Sequence, residues 1–220
     1  MNKLQLTHPT LILLYGYPGS GKTFFARQVC QDIQAAHVQG DRIRAELFEQ
    51  PRFDRQENEI VANLMNYMAG EFLASGISVV YDMNAMRISQ RRALRDMARR
   101  HQAKTLLVWL QIDFESAFGR NSRRDHRKAD DRYAAQVDQA TFNSILGGMQ
   151  NPEPTEDYVV ISGKHTYQTQ RGGMMRKLYE VKLLSSQDVN ERMVRPELVN
   201  LVPKATGGRV DQSRRNIFIR

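Results

Sequence analysis

The chain contains 220 residues, with 41% hydrophobic and 25% charged side chains, which is typical of a soluble globular domain with a sizeable core. Its longest apolar runs are about six residues, far short of the ~20 that a membrane-spanning helix needs, and we expect no export signal. The single cysteine, Cys30, excludes an internal disulfide and favours a cytoplasmic location.

The net charge of +8 is spread unevenly along the chain. Residues 163–220 hold 12 Lys and Arg against 5 Asp and Glu, a net of +7, whereas residues 1–162 hold 20 against 19. We therefore predict a folded domain over residues 1–162 and a basic C-terminal extension over residues 163–220. A basic surface of this kind attracts polyanions such as nucleic acids.

The first predicted strand, residues 10–15, runs directly into the sequence GYPGSGKT at residues 16–23. That sequence matches the phosphate-loop (P-loop) pattern G-x-x-x-x-G-K-[ST] at every fixed position, and a helix is predicted from Lys22 to about residue 35. Glycines let backbone N–H groups surround a phosphate, and the positive end of the helix dipole points at the same place. Lys22 is expected to reach the β- and γ-phosphates of ATP, and the Thr23 hydroxyl to bind Mg²⁺. The predicted ATP contacts are Gly16, Tyr17, Pro18, Gly19, Ser20, Gly21, Lys22 and Thr23.

Strands and helices are predicted to alternate along the rest of the domain. Strands are predicted at residues 36–39, 77–81, 105–112 and 158–162, and helices from residue 41 and at 56–74, 89–101, 113–118 and 133–149. This alternation predicts a three-layer α/β fold with a parallel sheet, as in P-loop NTPases of the nucleotide-kinase type. Beyond residue 162 the alternation is lost. There, short strands are predicted at 177–184 and 216–219, and glycine-containing loops at 172–173 and 206–208.

Acidic residues follow two of the predicted strands, at the sheet edge where ligands bind in open α/β folds. Asp41 follows the strand at 36–39, and Arg44 lies one helical turn further on the same side. Asp41 could accept the proton of an acceptor hydroxyl while Arg44 holds the acceptor, or Asp41 could be a helix N-cap in an ordinary ion pair. Asp82 ends the strand at 77–81 and could face Mg²⁺, or it could cap a turn.

Arginines cluster at two further places. Arg120, Arg123 and Arg124 follow the strand at 105–112 and a single helical turn. Such a cluster can close over ATP as a lid and place guanidinium charge on the transferring phosphoryl group, although a solvated basic helix has the same composition. The arginine-rich side of the helix at 89–101, which includes Arg91, is interpreted as a solvated face.

With these residues, the chain resembles the small P-loop kinases grouped around phage-type 5′-hydroxyl polynucleotide kinase and zeta-type toxins, among them AAA-type predicted kinases. The resemblance covers residues 10–162 and rests on four motifs: GYPGSGKT, the D-x-x-R pair at Asp41, the segment VVYDMN, and RNSRR at residues 120–124. The P-loop ends in Lys-Thr-Phe where this group more often has Lys-Ser-Thr.

The resemblance implies roles for individual residues. Asp41 would be the general base toward the 5′-OH, and Arg44 would contact the reacting phosphate. Asp82 would lie beside the catalytic centre. A lid arginine, best matched by Arg124 and next by Arg120, would contact the ATP phosphates.

The expected function is therefore an ATP- and Mg²⁺-dependent kinase, with Thr23 and Asp82 at the metal. The 5′-OH end of a nucleic acid is the first choice of acceptor because of the basic extension. Two alternatives stay open: a kinase of nucleotide sugars or other small molecules, as zeta-type toxins are, and an ATPase switch or nucleic-acid-binding subunit. The residues predicted to carry catalysis are Lys22, Asp41, Arg44 and Arg124.

Overall fold

The computed structural model describes residues 3–185, in which five parallel strands form one sheet in the order β2-β3-β1-β4-β5. The strands are β1 (Thr10–Tyr15), β2 (Ala35–Gln39), β3 (Ser78–Asn84), β4 (Lys104–Gln111) and β5 (Tyr158–Ser162). The helices are α1 (Lys22–Asp32), α2 (Gly40–Leu47), α3 (Arg55–Ala74), α4 (Ile88–Arg100), α5 (Phe114–Ser122), α6 (Gln139–Gly147) and α7 (Tyr167–Glu180). The predicted α/β architecture with a parallel sheet is confirmed.

Strand β1 lies at the centre of the sheet and is buried on both faces. Leu11, Leu13 and Tyr15 pack into the layer that contains α3 and α4. Ile12 and Leu14 pack into the opposite layer, with α1 and α7. Because side chains alternate along a strand, a strand covered on both faces needs the continuous apolar run that β1 has. The loop after β1 therefore opens at the middle of the sheet edge, with other strand ends on either side.

Helix α7 replaces two predicted features. The strand predicted at 177–184 and the loop predicted at 172–173 are both wrong, because residues 167–180 form one helix. Met174, Met175 and Leu178 of this helix are buried against the sheet. Their spacing is that of one face of a helix, and burying this face favours a helix over the predicted strand. The features predicted at 206–208 and 216–219 lie outside the described residues.

The basic extension is packed onto the domain as far as the structure describes it. The Tyr167 hydroxyl and the Arg171 guanidinium both donate to Asp32 at the end of α1. Leu183 and Leu184 join the core beside α1. No helix within residues 3–185 is long and apolar enough to cross a membrane.

Two further helix predictions need correction. The helix predicted at 133–149 begins only at Gln139, because the Asp138 side chain caps it by accepting from the Thr141 N–H at 2.7 Å. On α4, Arg91 is fully buried rather than solvated. Its guanidinium binds both carboxylate oxygens of Glu156 at 2.9 Å, so the buried charge has a bidentate partner.

Candidate active site

The ends of all five strands meet at one edge of the sheet, as parallel strands require. A cavity of about 1290 Å³ opens there. The P-loop follows the central strand β1 and borders the middle of the cavity. The residues after β2 and β3 border one side, and the segments after β4 and β5 border the other. A nucleotide on the P-loop would therefore have two distinct flanks.

The backbone of the P-loop has positive φ at three glycines, Gly16, Gly19 and Gly21, and the first two also lack room for a Cβ. Gly16 has φ +152° and Gly19 has φ +81°, a region that favours glycine. A Cβ at Gly16 would lie 2.5 Å from the Leu110 carbonyl oxygen, and one at Gly19 would lie 2.2 Å from the Ala117 carbonyl oxygen. The glycines thus let the loop pack closely against β4 and α5.

Lys22 lies at the start of α1 and folds back over the P-loop. Its Nζ donates to the carbonyl oxygens of Gly16 at 2.9 Å and Tyr17 at 2.8 Å. Burial lowers the pKa of Lys22 to about 8, although the nearby Asp82 carboxylate opposes the shift. Because the described hydrogen-bond partners of this buried ammonium are neutral carbonyls, negative phosphate oxygens would be favoured partners.

Thr23 and Asp82 place hard oxygen donors next to Lys22. The Thr23 hydroxyl lies 3.4 Å from Asp82 Oδ1, and the His37 ring nitrogen lies 3.0 Å from Asp82 Oδ2. A hydroxyl and a carboxylate fit Mg²⁺, which usually takes one or two protein oxygens and fills its shell with phosphates and water. Within residues 3–185, no group of three or more His, Cys, Asp and Glu could hold a metal by itself.

Asp41 lies in the first turn of α2 and borders the same cavity. It is not the helix N-cap, which is Gln39, so the N-cap alternative is wrong. Burial and the neighbouring Asp82 raise the pKa of Asp41, while Arg124, Lys22 and Arg44 act in the opposite direction. The Asp41 carboxylate therefore shares one electrostatic environment with the P-loop lysine and a lid arginine.

Arg44 is buried beside Asp41 but is held by other residues. Its Nη1 donates to Glu57 at 3.1 Å and its Nη2 to Asn58 at 2.6 Å, both on α3. The guanidinium also lies 4.8 Å from the centre of the Phe53 ring. Arg44 thus has a fixed position in the wall of the cavity, and its described ion pair is with Glu57 rather than Asp41.

The lid predicted after β4 consists of the end of α5 and the irregular segment at 123–138. Arg124 donates to the Ala135 carbonyl oxygen. Burial lowers the pKa of Arg124, and the carboxylates of Asp41 and Asp131 oppose that shift. Arg120 donates to the Gly163 carbonyl oxygen at 2.8 Å, and Arg123 also borders the cavity. All three predicted lid arginines therefore face the site.

Four residues at this edge have positions that sequence analysis did not assign. Asn84 accepts the Gly16 N–H at 3.2 Å, and His37 contacts Asp82. Glu57 accepts a hydrogen bond from Arg44. Gly163 directly follows β5 and lies so close to the P-loop that a Cβ added there would be 2.6 Å from the Ser20 carbonyl oxygen. Asn84 ends β3 and Gly163 directly follows β5, and a position at a strand end is a signal that the sequence can supply. For His37 and Glu57 the sequence supplies no comparable signal.

The family described as AAA domain matches residues 11–152 of this chain. No curated protein sequence matches it. Among solved structures, Chaetomium thermophilum Kti12 in complex with ADP-AlF3 has a TM-score of 0.61 at 18% identity, covering 80% of this chain and 100% of its own. A sugar kinase from Janibacter sp. HTCC2649 has a TM-score of 0.58 at 16% identity, covering 83% and 99% respectively.

The Mycobacterium tuberculosis APS kinase CysC, in complex with AMPPNP and APS, is also similar. It has a TM-score of 0.58 at 16% identity and covers 78% of this chain and 98% of its own. At these identities the likeness establishes the fold alone. That fold is the kinase-like P-loop NTPase fold, so the predicted fold class is confirmed.

Proposed function

The chain belongs to the AAA domain family, and we propose that it is an ATP-dependent phosphotransferase that moves the γ-phosphoryl group to a hydroxyl acceptor. One observation carries the proposal: Asp41 borders the same cavity as Lys22 and Arg124, and its pKa responds to both. Phosphoryl transfer requires held phosphates, positive charge on the transferring group and an oriented acceptor, and this cavity offers a residue for each.

On the donor side, the P-loop N–H groups and Lys22 would hold the β- and γ-phosphates. Thr23 and Asp82 would hold Mg²⁺, which when bound neutralises the phosphate charge. Arg124, which borders the cavity, would place guanidinium charge on the transferring group, and Arg120 would support the nucleotide from the β5 side. The same arrangement would exclude water once ATP fills the cavity.

On the acceptor side, Asp41 would accept the proton of the attacking hydroxyl. Its raised pKa makes it a stronger base than an ordinary aspartate. Arg44 would contact the acceptor or the reacting phosphate from the wall of the cavity. Because Glu57 and Asn58 fix the Arg44 guanidinium, that contact would be pre-organised.

We propose the 5′-OH end of a nucleic acid as the first acceptor. The sequence resemblance and the +7 charge of residues 163–220 support this choice. In the described part of that extension, Lys164, Arg171 and Lys177 are paired with carboxylates, whereas Arg176 and Lys182 are exposed.

A small-molecule acceptor is the second candidate. The acceptor side is lined by small or apolar residues such as Gly40, Ala62 and Met83, and its described cation, Arg44, is already paired with Glu57. A compact neutral hydroxyl compound would suit such a wall. Salt distinguishes the candidates, because polynucleotide affinity falls steeply with rising salt, whereas affinity for a neutral acceptor does not.

The test is transfer of label from γ-labelled ATP to 5′-OH DNA, 5′-OH RNA, nucleosides and nucleotide sugars. The proposal predicts label on at least one hydroxyl and loss of that label in Asp41→Asn. Glu46→Gln is the matched control, since Glu46 is an exposed acid on the same helix. Release of free phosphate alone, unchanged in Asp41→Asn, would favour the ATPase alternative.

A further inference from the structure

The segment that joins α2 to α3 forms part of the cavity wall and is held in an unusual conformation. Phe53 has φ +56°, in the left-handed region that is unfavourable for a non-glycine residue. Strained backbone of this kind persists only where the surrounding contacts determine it, and it concentrates at ligand sites.

The described hydrogen bonds that hold the backbone of Phe53 come from the start of α3. The carboxylate of Glu57 accepts the backbone N–H groups of Arg52 at 2.9 Å and Phe53 at 2.8 Å. Asn58 donates its side-chain amide to the Phe53 carbonyl oxygen at 3.2 Å. Glu57 also binds the Arg44 guanidinium, so one buried carboxylate fixes both the arginine and the aromatic residue. Glu57 is only 2% exposed, which makes this arrangement rigid.

The Phe53 ring remains available although its backbone is fixed. Phe53 is 46% exposed and borders the cavity on the acceptor side, separated from Asp41 by the rest of α2 and the loop after it. The Arg44 guanidinium packs over the ring. An aromatic residue that folding does not bury, and whose strained backbone is nevertheless held by hydrogen bonds to Glu57 and Asn58, is better explained by a ligand than by stability.

We propose that Phe53 determines acceptor specificity by stacking on a nucleobase of the acceptor, and that Glu57 is the positioning residue that holds Phe53 and Arg44 for it. This inference rests on the proposed function. The chemistry of the wall favours a flat ring over a polyhydroxyl compound. Met83 and Met86 are apolar neighbours, and the polar atoms of Asn58 are already bonded to Arg44 and Phe53. The acceptor would be a nucleoside unit with a free 5′-OH, either alone or at the end of a strand.

The experiment compares Phe53→Leu, which keeps an apolar side chain without a ring, with Phe53→Tyr, which keeps the ring. Tyr67→Leu is the matched control, since Tyr67 is an exposed aromatic residue on α3 that does not border the cavity. Acceptors are adenosine, a 5′-OH oligonucleotide and glycerol, and KM and kcat are measured for each.

Base–aromatic stacking predicts that Phe53→Leu raises the KM for adenosine or the oligonucleotide about 5- to 150-fold, with kcat and the KM for ATP little changed. Phe53→Tyr should restore the wild-type KM. If Phe53→Leu raises only the KM for the oligonucleotide, the acceptor is the end of a strand. If it raises the KM for adenosine as well, the nucleoside unit alone is recognised. An unchanged KM for both ring-bearing acceptors, or an equal loss with glycerol, would overturn the inference.

The proposed function can fail separately. If the wild-type protein labels no acceptor, phosphoryl transfer to these hydroxyls is refuted, and Phe53 is then judged by binding alone. Fluorescence anisotropy with a labelled 5′-OH oligonucleotide in the presence of AMPPNP should show weaker binding by Phe53→Leu. Equal binding by the wild type, Phe53→Leu and Phe53→Tyr would overturn the stacking inference without reference to catalysis.

Discussion

Asn84 accepts a hydrogen bond from the backbone N–H of Gly16 at 3.2 Å and thereby connects the end of β3 to the first residue of the P-loop. An irregularity in β3 makes this contact possible. Leu13 pairs with Tyr81, whereas Leu14 pairs with Asn84, so Asp82 and Met83 form a bulge. Bulges near active sites redirect side chains, and here Asp82 meets Thr23 while Asn84 reaches Gly16.

Replacing Asn84 with alanine should weaken ATP binding about 2- to 12-fold, since one hydrogen bond that orients the P-loop contributes on the order of 0.5–1.5 kcal/mol. Titration with a fluorescent ATP analogue measures the change. Asn143→Ala, at an exposed position on α6, serves as the control. Unchanged affinity in Asn84→Ala would show that Gly16 keeps its position without this contact.

A methyl group at Gly163 should disturb the nucleotide site from the β5 side. Its Cβ would lie 2.6 Å from the Ser20 carbonyl oxygen, so Gly163→Ala must push the loop after β5 away from the P-loop. We expect a loss of stability of about 1–3 kcal/mol together with weaker ATP binding. Gly172→Ala is the matched control, because its Cβ meets no atom within 4 Å and alanine favours the helix. Equal behaviour of the two variants would contradict the account.

The sequence predicts the structure around the P-loop well because that segment is local. A strand, a glycine loop, a lysine and a helix follow one another within residues 10–32, and the structure has them in the predicted order. Asp41, Asp82 and Arg124 were also predictable as candidates, because the predicted strands end near each of them at the same sheet edge. Their roles remain proposals.

The arrangement of Arg44 and Phe53 around Glu57 was not predictable, because it depends on contacts between residues that are separated in the sequence. Nothing in the sequence near Glu57 shows that the chain at 52–53 folds back onto its carboxylate. The error at α7 has a related cause. The segment at 177–184 alternates like a strand, but burial of Met174, Met175 and Leu178 against the sheet outweighs that local pattern and stabilises a helix.

ATP affinity should fall as pH rises above about 8. Bound phosphates favour the charged form of Lys22 and raise its pKa, so binding takes up a proton once the free lysine has lost its own. Below that pH, Lys22 is charged in both the free and the ATP-bound protein, so its contribution to ATP affinity does not change with pH. Isothermal titration from about pH 7.5 to 9.5 measures the trend, and Lys22→Arg, which stays charged, should show no such fall. A parallel fall in both proteins would exclude Lys22 as its cause.

The buried Arg91–Glu156 pair should matter for stability rather than chemistry. Glu156→Ala leaves the fully buried Arg91 without its bidentate partner and should reduce the free energy of unfolding by about 3–5 kcal/mol. Urea unfolding measures the loss. In the exposed Arg55–Glu59 pair, Glu59→Ala should cost less than about 1 kcal/mol. Similar losses in both variants would contradict the assigned burial.

The central claim is that Asp41 activates an acceptor hydroxyl for attack on ATP held by the P-loop. The most direct measurement is single-turnover transfer from γ-labelled ATP to a 5′-OH oligonucleotide or nucleoside by the wild type and by Asp41→Asn, with ATP affinity measured in parallel. We expect a transfer rate about 10²- to 10⁴-fold lower in Asp41→Asn, with ATP affinity retained. Undiminished transfer by Asp41→Asn, in a variant that still binds ATP, would contradict the claim.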